Sequence, residues 1–164
     1  MSDPIRVLIV CTGNICRSPT AHAVLLHLIR ERALAHRLEC DSAGTQAYHE
    51  GEGADPRSRS TGERQGLDFS FHRARRMRST DFAEFDWILA MDQSHMDWLR
   101  DHSHKGQRAQ LALFLEACPD LGVTEMPDPY YGGPMGFETV LDLCRKGCEA
   151  WLERWLPSSE KSLA

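Results

Sequence analysis

The sequence predicts a single-domain, open α/β fold: a four-stranded parallel sheet with helices packed on both faces. Two observations predict it. Short apolar, β-branched runs alternate with stretches of helical period. No repeat, low-complexity tract or linker divides the 164 residues, a length that holds one core.

The first strand is read at residues 5–10, Ile-Arg-Val-Leu-Ile-Val, and ends at Cys11-Thr12-Gly13-Asn14. From Arg17 the period changes. Ala21, Val24, Leu25 and Leu28 share one helical face, and Ser18-Pro19 starts that helix because the first turn tolerates a missing donor. Leu38 to Ser42 reads as the second strand and residues 45–54, with their glycines, as a loop. Asp55-Pro56 is an N-cap followed by proline, opening a helix that stops near Gly66. Trp87 to Met91 is the third strand, Asp92 caps a helix through Leu99, and Gln110 to Leu115 is the fourth strand. In the last helix Phe137, Val140, Leu141, Cys144, Cys148, Trp151, Leu152 and Trp155 form one apolar stripe, which Pro157 ends. The ordered core is expected over about 5–157, with a flexible tail at 158–164.

Composition narrows the function classes. Hydrophobic residues are 41% and charged residues 26%, ordinary values for a globular chain. A net charge of −5 argues against nucleic acid as a partner. No apolar run reaches membrane-spanning length. The start, Met-Ser-Asp-Pro-Ile-Arg-Val, lacks the pattern of a secretory leader, and six irregularly spaced cysteines do not form a disulfide framework. The expected location is cytoplasmic, with no membrane contact. Cys144 and Cys148 fall on the stripe of the last helix as structural thiols. With no C-x2-C pair, and with His102 and His104 alone in a polar loop, no metal site is expected.

Ligands of open parallel sheets bind beyond the carboxyl ends of the strands. That rule selects residues 11–18, 42–51, 91–92 and 126–133. In the first, Cys11 and Arg17 stand with five residues between them across a strand-to-helix turn. Backbone N–H groups in such a turn form an anion nest, and the following helix adds the positive end of its dipole. Gly13 relieves the turn and Asn14 tolerates positive φ. Arg17 supplies a planar fork for two oxyanion oxygens. The same field favours the thiolate of Cys11, a nucleophile that then needs no histidine base. Asp128, stiffened by Pro127 and Pro129, is the candidate acid on the same side of the sheet.

The run Val-Cys-Thr-Gly-Asn-Ile-Cys-Arg-Ser-Pro-Thr-Ala at 10–21 resembles the phosphate-binding loop of the low-molecular-weight protein tyrosine phosphatases. Asp-Ser-Ala-Gly-Thr at 41–45, His-Arg-Ala-Arg at 72–75, residues 85–92 and Met-Pro-Asp-Pro-Tyr-Tyr-Gly-Gly at 126–133 are similar to the same family. The resemblance implies a phosphotyrosine monoesterase working by double displacement through a cysteinyl phosphate, with no cofactor. It implies Cys11 as nucleophile, Arg17 as oxyanion ligand and Asp128 as acid and then base. Thr12, Gly13, Asn14, Ile15, Cys16 and Ser18 would bind the phosphate, Tyr48, Tyr130 and Tyr131 would wall the cleft, and Ser42 and His72 would brace the loop. Cys16 would bridge to Cys11 on oxidation. The partner would be a tyrosine-phosphorylated protein, a tyrosine kinase or its substrate.

Other readings stand beside this one. His72 sits in a basic stretch, 72–78, that reads on its own as a solvated face. A phosphoarginine branch of the family stays open, with Thr12 pointing toward it and Tyr130 toward phosphotyrosine. Arsenate reductases share the loop but need paired redox cysteines, and residues 80–115 contain none. A binding module would be expected to lack Cys11 or Asp128.

Overall fold

The structure is a computed structural model that describes residues 3–131 and 135–157. The tail 158–164, expected to be flexible, lies outside the described residues, as do 132–134 of the acid-bearing stretch. The strands are β1 (Ile5–Cys11), β2 (Leu38–Gly44), β3 (Trp87–Ala90) and β4 (Gln110–Leu113). The helices are α1 (Arg17–Glu31), α2 (Pro56–Glu63), the single turn α3 (Asp81–Glu84), α4 (Gln93–His102) and α5 (Met135–Trp155). The strands form one parallel sheet in the order β2-β1-β3-β4.

Central β1 is covered on both faces, which is why its sequence is a continuous apolar run instead of an alternating one. Val7, Ile9 and Cys11 join the core shared with α1 and α5, while Leu8 and Val10 join the core under α3 and α4. The stripe read on α5 is the face that packs. Trp151 packs at 5.3 Å, ring tilted, against Trp87 of β3, and its indole N–H donates to Phe114 O at 2.7 Å. Proline at the start of α2 follows its Asp55 cap, whose carboxylate accepts the N–H of Arg57.

Three local readings change. The fourth strand stops at Leu113, where Glu116 reaches back to accept the Leu113 N–H at 2.7 Å and turns 114–117 into a 3-10 helix. The helix after Asp92 continues to His102, three residues past Leu99. The basic stretch 72–78 is only partly a solvated face. Arg75 turns inward to Asp41 and Asp81, and His72 is buried, while Arg73, Arg76 and Arg78 are exposed. Among the described residues no helix is long and apolar enough to cross a membrane.

The seam between α5 and the sheet has no slack. A Cβ at Gly147 would lie 2.2 Å from Cε2 of the buried Phe114. Alanine favours a helix over glycine by about 1 kcal/mol, whereas overpacking a core costs about 1–3 kcal/mol. Gly147→Ala is therefore expected to lower stability by about 1–2 kcal/mol in urea unfolding. An unchanged or raised midpoint would show that Phe114 swings aside freely.

Candidate active site

β1 ends at Cys11, which is buried, and the chain then turns through Thr12–Cys16 into α1. The turn depends on Asn14, at φ 59, one of two positive-φ residues other than glycine among the described residues. Its amide is held from both ends. Oδ1 accepts the N–H of Arg75 at 3.0 Å, which leaves Nδ2 to donate to Ser18 Oγ at 2.8 Å and to Ser42 Oγ at 3.1 Å. Ser18 is an acceptor from Asn14, so its own proton is free for Cys11 Sγ, 3.0 Å away. Ser42 likewise turns its proton to His22 Nδ1 at 3.0 Å. His72 Nε2 donates to Asn14 O at 2.7 Å. Gly44, the last residue of β2, lies under the loop, where a Cβ would come within 2.5 Å of Thr12 O.

Held this way, the backbone N–H groups of Thr12, Gly13, Asn14, Ile15, Cys16, Arg17 and Ser18 have no protein acceptor among the described residues. Buried N–H groups are nearly always paired, so a run of them around one cleft marks an anion site. Arg17 closes it. Its guanidinium is buried, with Nη1 donating to Asp92 Oδ2 at 2.7 Å and to Met126 O at 3.0 Å. Nη2 lies 3.7 Å from Asp128 Oδ2.

Asp128 reaches the same cleft from the segment that follows β4. Its segment is pinned where Met126 N–H donates to Met91 O at 2.8 Å. Asp128 Oδ1 accepts the N–H of Tyr130 at 3.0 Å, and the other carboxylate oxygen faces Arg17. Cys11, Thr12, Gly13, Ile15, Cys16, Arg17, Tyr48, Asp128 and Tyr130 line one cleft of about 110 Å³. Tyr48 and Tyr130 are exposed aromatic walls. Tyr131 closes the short 3-10 turn Pro129–Tyr131. Asn14, Ser18, Ser42 and His72 lie behind the cleft as a brace. A larger open concavity of about 540 Å³ lies over α2, but its lining of Pro56, Arg59, Ser60, Glu63 and Arg64 includes no thiol and no histidine to activate Ser60, so chemistry and not volume selects the small cleft. Among the described residues no group of three His, Cys, Asp or Glu side chains could hold a metal.

The site contains residues that sequence reasoning missed. Asp92 was read as a helix cap. It does cap α4, accepting the N–H of His95, but it is also the partner of Arg17. Its position at the carboxyl end of β3 was the available signal. Arg57 stacks over Tyr130 at 5.2 Å and over Phe137 at 4.7 Å while its guanidinium pairs with Asp55, steadying that wall of the cleft. His22 and His95 carried no pattern. Burial lowers His72, and it lowers His22 and His95 to about 4, against the pull of Asp41 on His22 and of Asp92 on His95. Burial, followed by the charge of Asp55, raises Cys16 to about 12, so its thiol stays protonated beside Cys11.

A family model described as "low molecular weight phosphotyrosine protein phosphatase" matches residues 6–161. A low molecular weight protein-tyrosine-phosphatase of Streptomyces coelicolor is 41% identical over 141 residues, covering 84% of this chain and 85% of the relative. A solved protein tyrosine phosphatase from Entamoeba histolytica, with Hepes in its active site, superposes with a TM-score of 0.86 at 39% identity, covering 92% of this chain and 96% of the other. A solved Drosophila arginine phosphatase superposes with a TM-score of 0.84 at 29% identity, covering 92% and 98%.

The buried histidines give the protein an acid limb. An unfolded imidazole titrates near pH 6.5, at about which the unfolded chain begins to bind protons that His22 and His95 refuse in the fold. Stability should therefore fall as pH drops from about 6.5 toward about 4, by up to about 1.4 kcal/mol per pH unit for each histidine, and level off below. His22→Gln should flatten that slope by close to one proton. An unchanged slope in urea titrations across this window would show that His22 protonates freely in the fold.

Proposed function

The chain belongs to the low molecular weight phosphotyrosine protein phosphatases, and from that premise we propose that it hydrolyses phosphotyrosine in proteins through a cysteinyl-phosphate intermediate. The observation that carries the reading is the run of unpaired backbone N–H groups from Thr12 to Ser18 surrounding the Cys11 sulfur and closed by the Arg17 guanidinium. A phosphoryl group seated there meets donors on its nonbridging oxygens and a sulfur from below. The Hepes in the Entamoeba active site is a sulfonate, an anion of similar shape.

In the first step the Cys11 thiolate attacks phosphorus and the bond to the tyrosyl oxygen breaks. Loop N–H groups and Arg17 hold the equatorial oxygens as charge redistributes, donors already in place before the transition state forms. Asp128 gives its proton to the departing phenolate oxygen. In the second step the Asp128 carboxylate takes a proton from water, whose oxygen attacks the phosphocysteine. The sulfur leaves as thiolate, and inorganic phosphate departs. Ser18, its proton directed at Cys11 Sγ, stabilises that leaving thiolate. Tyr48 and Tyr130 flank the phenyl ring, and a tyrosine-phosphorylated protein is the partner this implies.

Phosphate release from phosphotyrosine, phosphoserine and phosphoarginine peptides tests the reading. Release from phosphotyrosine that Cys11→Ser abolishes is expected. A preference for phosphoarginine would move the chain toward the activity named for its Drosophila neighbour. Asp128→Ala should lower kcat/KM for phosphotyrosine by about 10²–10⁴-fold, but should lower kcat/KM for an activated aryl phosphate far less, since that ratio reports the first step and a good leaving group needs no proton there. Equal losses on both would remove Asp128 from the acid role.

A further inference from the structure

Two ends of the phosphate loop are tied to the same turn of α4 by a chain of hydrogen bonds, and His95 is its middle link. Thr12, the residue after the nucleophile, has its Oγ1 at 2.8 Å from His95 Nε2. His95 Nδ1 in turn accepts the backbone N–H of Asp92 at 3.2 Å. The Asp92 carboxylate then takes Arg17 Nη1 at 2.7 Å, at the other end of the loop. The imidazole is 1% exposed, lies behind the cleft, and is not among the residues that line it.

The donor inventory fixes how the ring is used. Two Asp92 atoms meet Nδ1, the backbone N–H at 3.2 Å and Oδ1 at 3.1 Å; the N–H is the one that forms a hydrogen bond, so Nδ1 accepts, and the imidazole proton on Nε2 is given to Thr12 Oγ1. A doubly protonated ring could not accept from Asp92. The charged groups facing it are Asp92 of its own helix turn, Arg17 from α1 and Asp128 from the acid-bearing segment, and burial outweighs the two carboxylates to keep the ring neutral.

We propose that His95 is a positioning residue for the phosphatase reaction: through the Thr12 hydroxyl and the Asp92 N–H it clamps both ends of the phosphate loop to α4 and so sets how tightly the loop holds an oxyanion. His95 touches no substrate atom. It acts by keeping the Thr12–Gly13 segment, with its unpaired N–H groups, in register with the Arg17 guanidinium. The inference rests on the anion-binding reading of the cleft made above.

Two substitutions separate this role from a merely structural one. A glutamine three residues after the N-cap can reach back to the cap N–H, so His95→Gln preserves the capping bond to Asp92 but is too short to hold Thr12. Thr12→Val removes the same link from the other side at constant volume. Inorganic phosphate is the probe, its dissociation constant read by calorimetry on the purified wild type and variants, with urea stability measured alongside. His95→Gln and Thr12→Val are each expected to weaken phosphate binding by about five- to tenfold, the worth of one ordering hydrogen bond. The double variant is expected to lose no more than either single variant, since both cut one link. In His95→Gln the loss should come with near wild-type stability.

Phosphate affinity unchanged in both variants, or additive losses in the double variant, would overturn the proposal and leave the phosphatase reading standing. A loss that follows stability alone would reduce His95 to a helix cap. A wild type that binds no phosphate would overturn this proposal together with the anion-site reading beneath it.

Discussion

The site depends on the backbone of Asn14. A residue at φ 59 pays a steric cost that the rest of the chain must offset. The offset is a set of bonds from distant segments: the N–H of Arg75, the hydroxyls of Ser18 and Ser42, and the ring of His72. Each bond fixes a direction. Because Arg75 donates to Oδ1, the amide must donate to both serines. Because both serines accept, their protons must go to Cys11 and to His22. One amide orientation thus sets the donor that faces the Cys11 sulfur.

The same bracing leaves a row of loop N–H groups with no protein acceptor among the described residues. That is costly for a fold and useful for a phosphate. The protein sets one buried guanidinium beside these groups, itself partnered by Asp92 so that it keeps a fixed orientation. Asp128 stands 3.7 Å from that guanidinium, held by the N–H of Tyr130, on the side where a leaving group would emerge. Sheet topology brings these parts together. β1 delivers Cys11, β3 delivers Asp92, and the stretch after β4 delivers Asp128, all from strand carboxyl ends that parallel pairing places along one edge.

Much of this was legible in the sequence because it is local. The strand-loop-helix from Ile5 to Glu31, the proline-flanked Asp128 and the apolar stripe of α5 each carry their pattern within a short window. Illegible parts are those made by tertiary neighbours. Asp92 looks like an N-cap and is one, and nothing nearby says that Arg17, seventy-five positions away, needs it too. His95 and His22 lack a signature because any burying environment accepts a neutral histidine. The arginines of 72–78 read alike in sequence, yet Arg75 is drawn in by Asp41 and Asp81 while its neighbours stay in water. Leu115 extends the apolar run of β4, and only the Glu116 carboxylate, capping Leu113, shows why the strand ends sooner.

The most direct test of the central claim is to trap the intermediate. Asp128→Ala removes the base that drives hydrolysis of the phosphoenzyme, so that species should accumulate during turnover of an activated aryl phosphate. Rapid acid quench followed by mass spectrometry of the digested protein would locate the phosphoryl group. The account predicts it on the Cys11 sulfur, and absent when Cys11 is also replaced by serine. A phosphoryl group on any other side chain, or turnover through no covalent species at all, would contradict it.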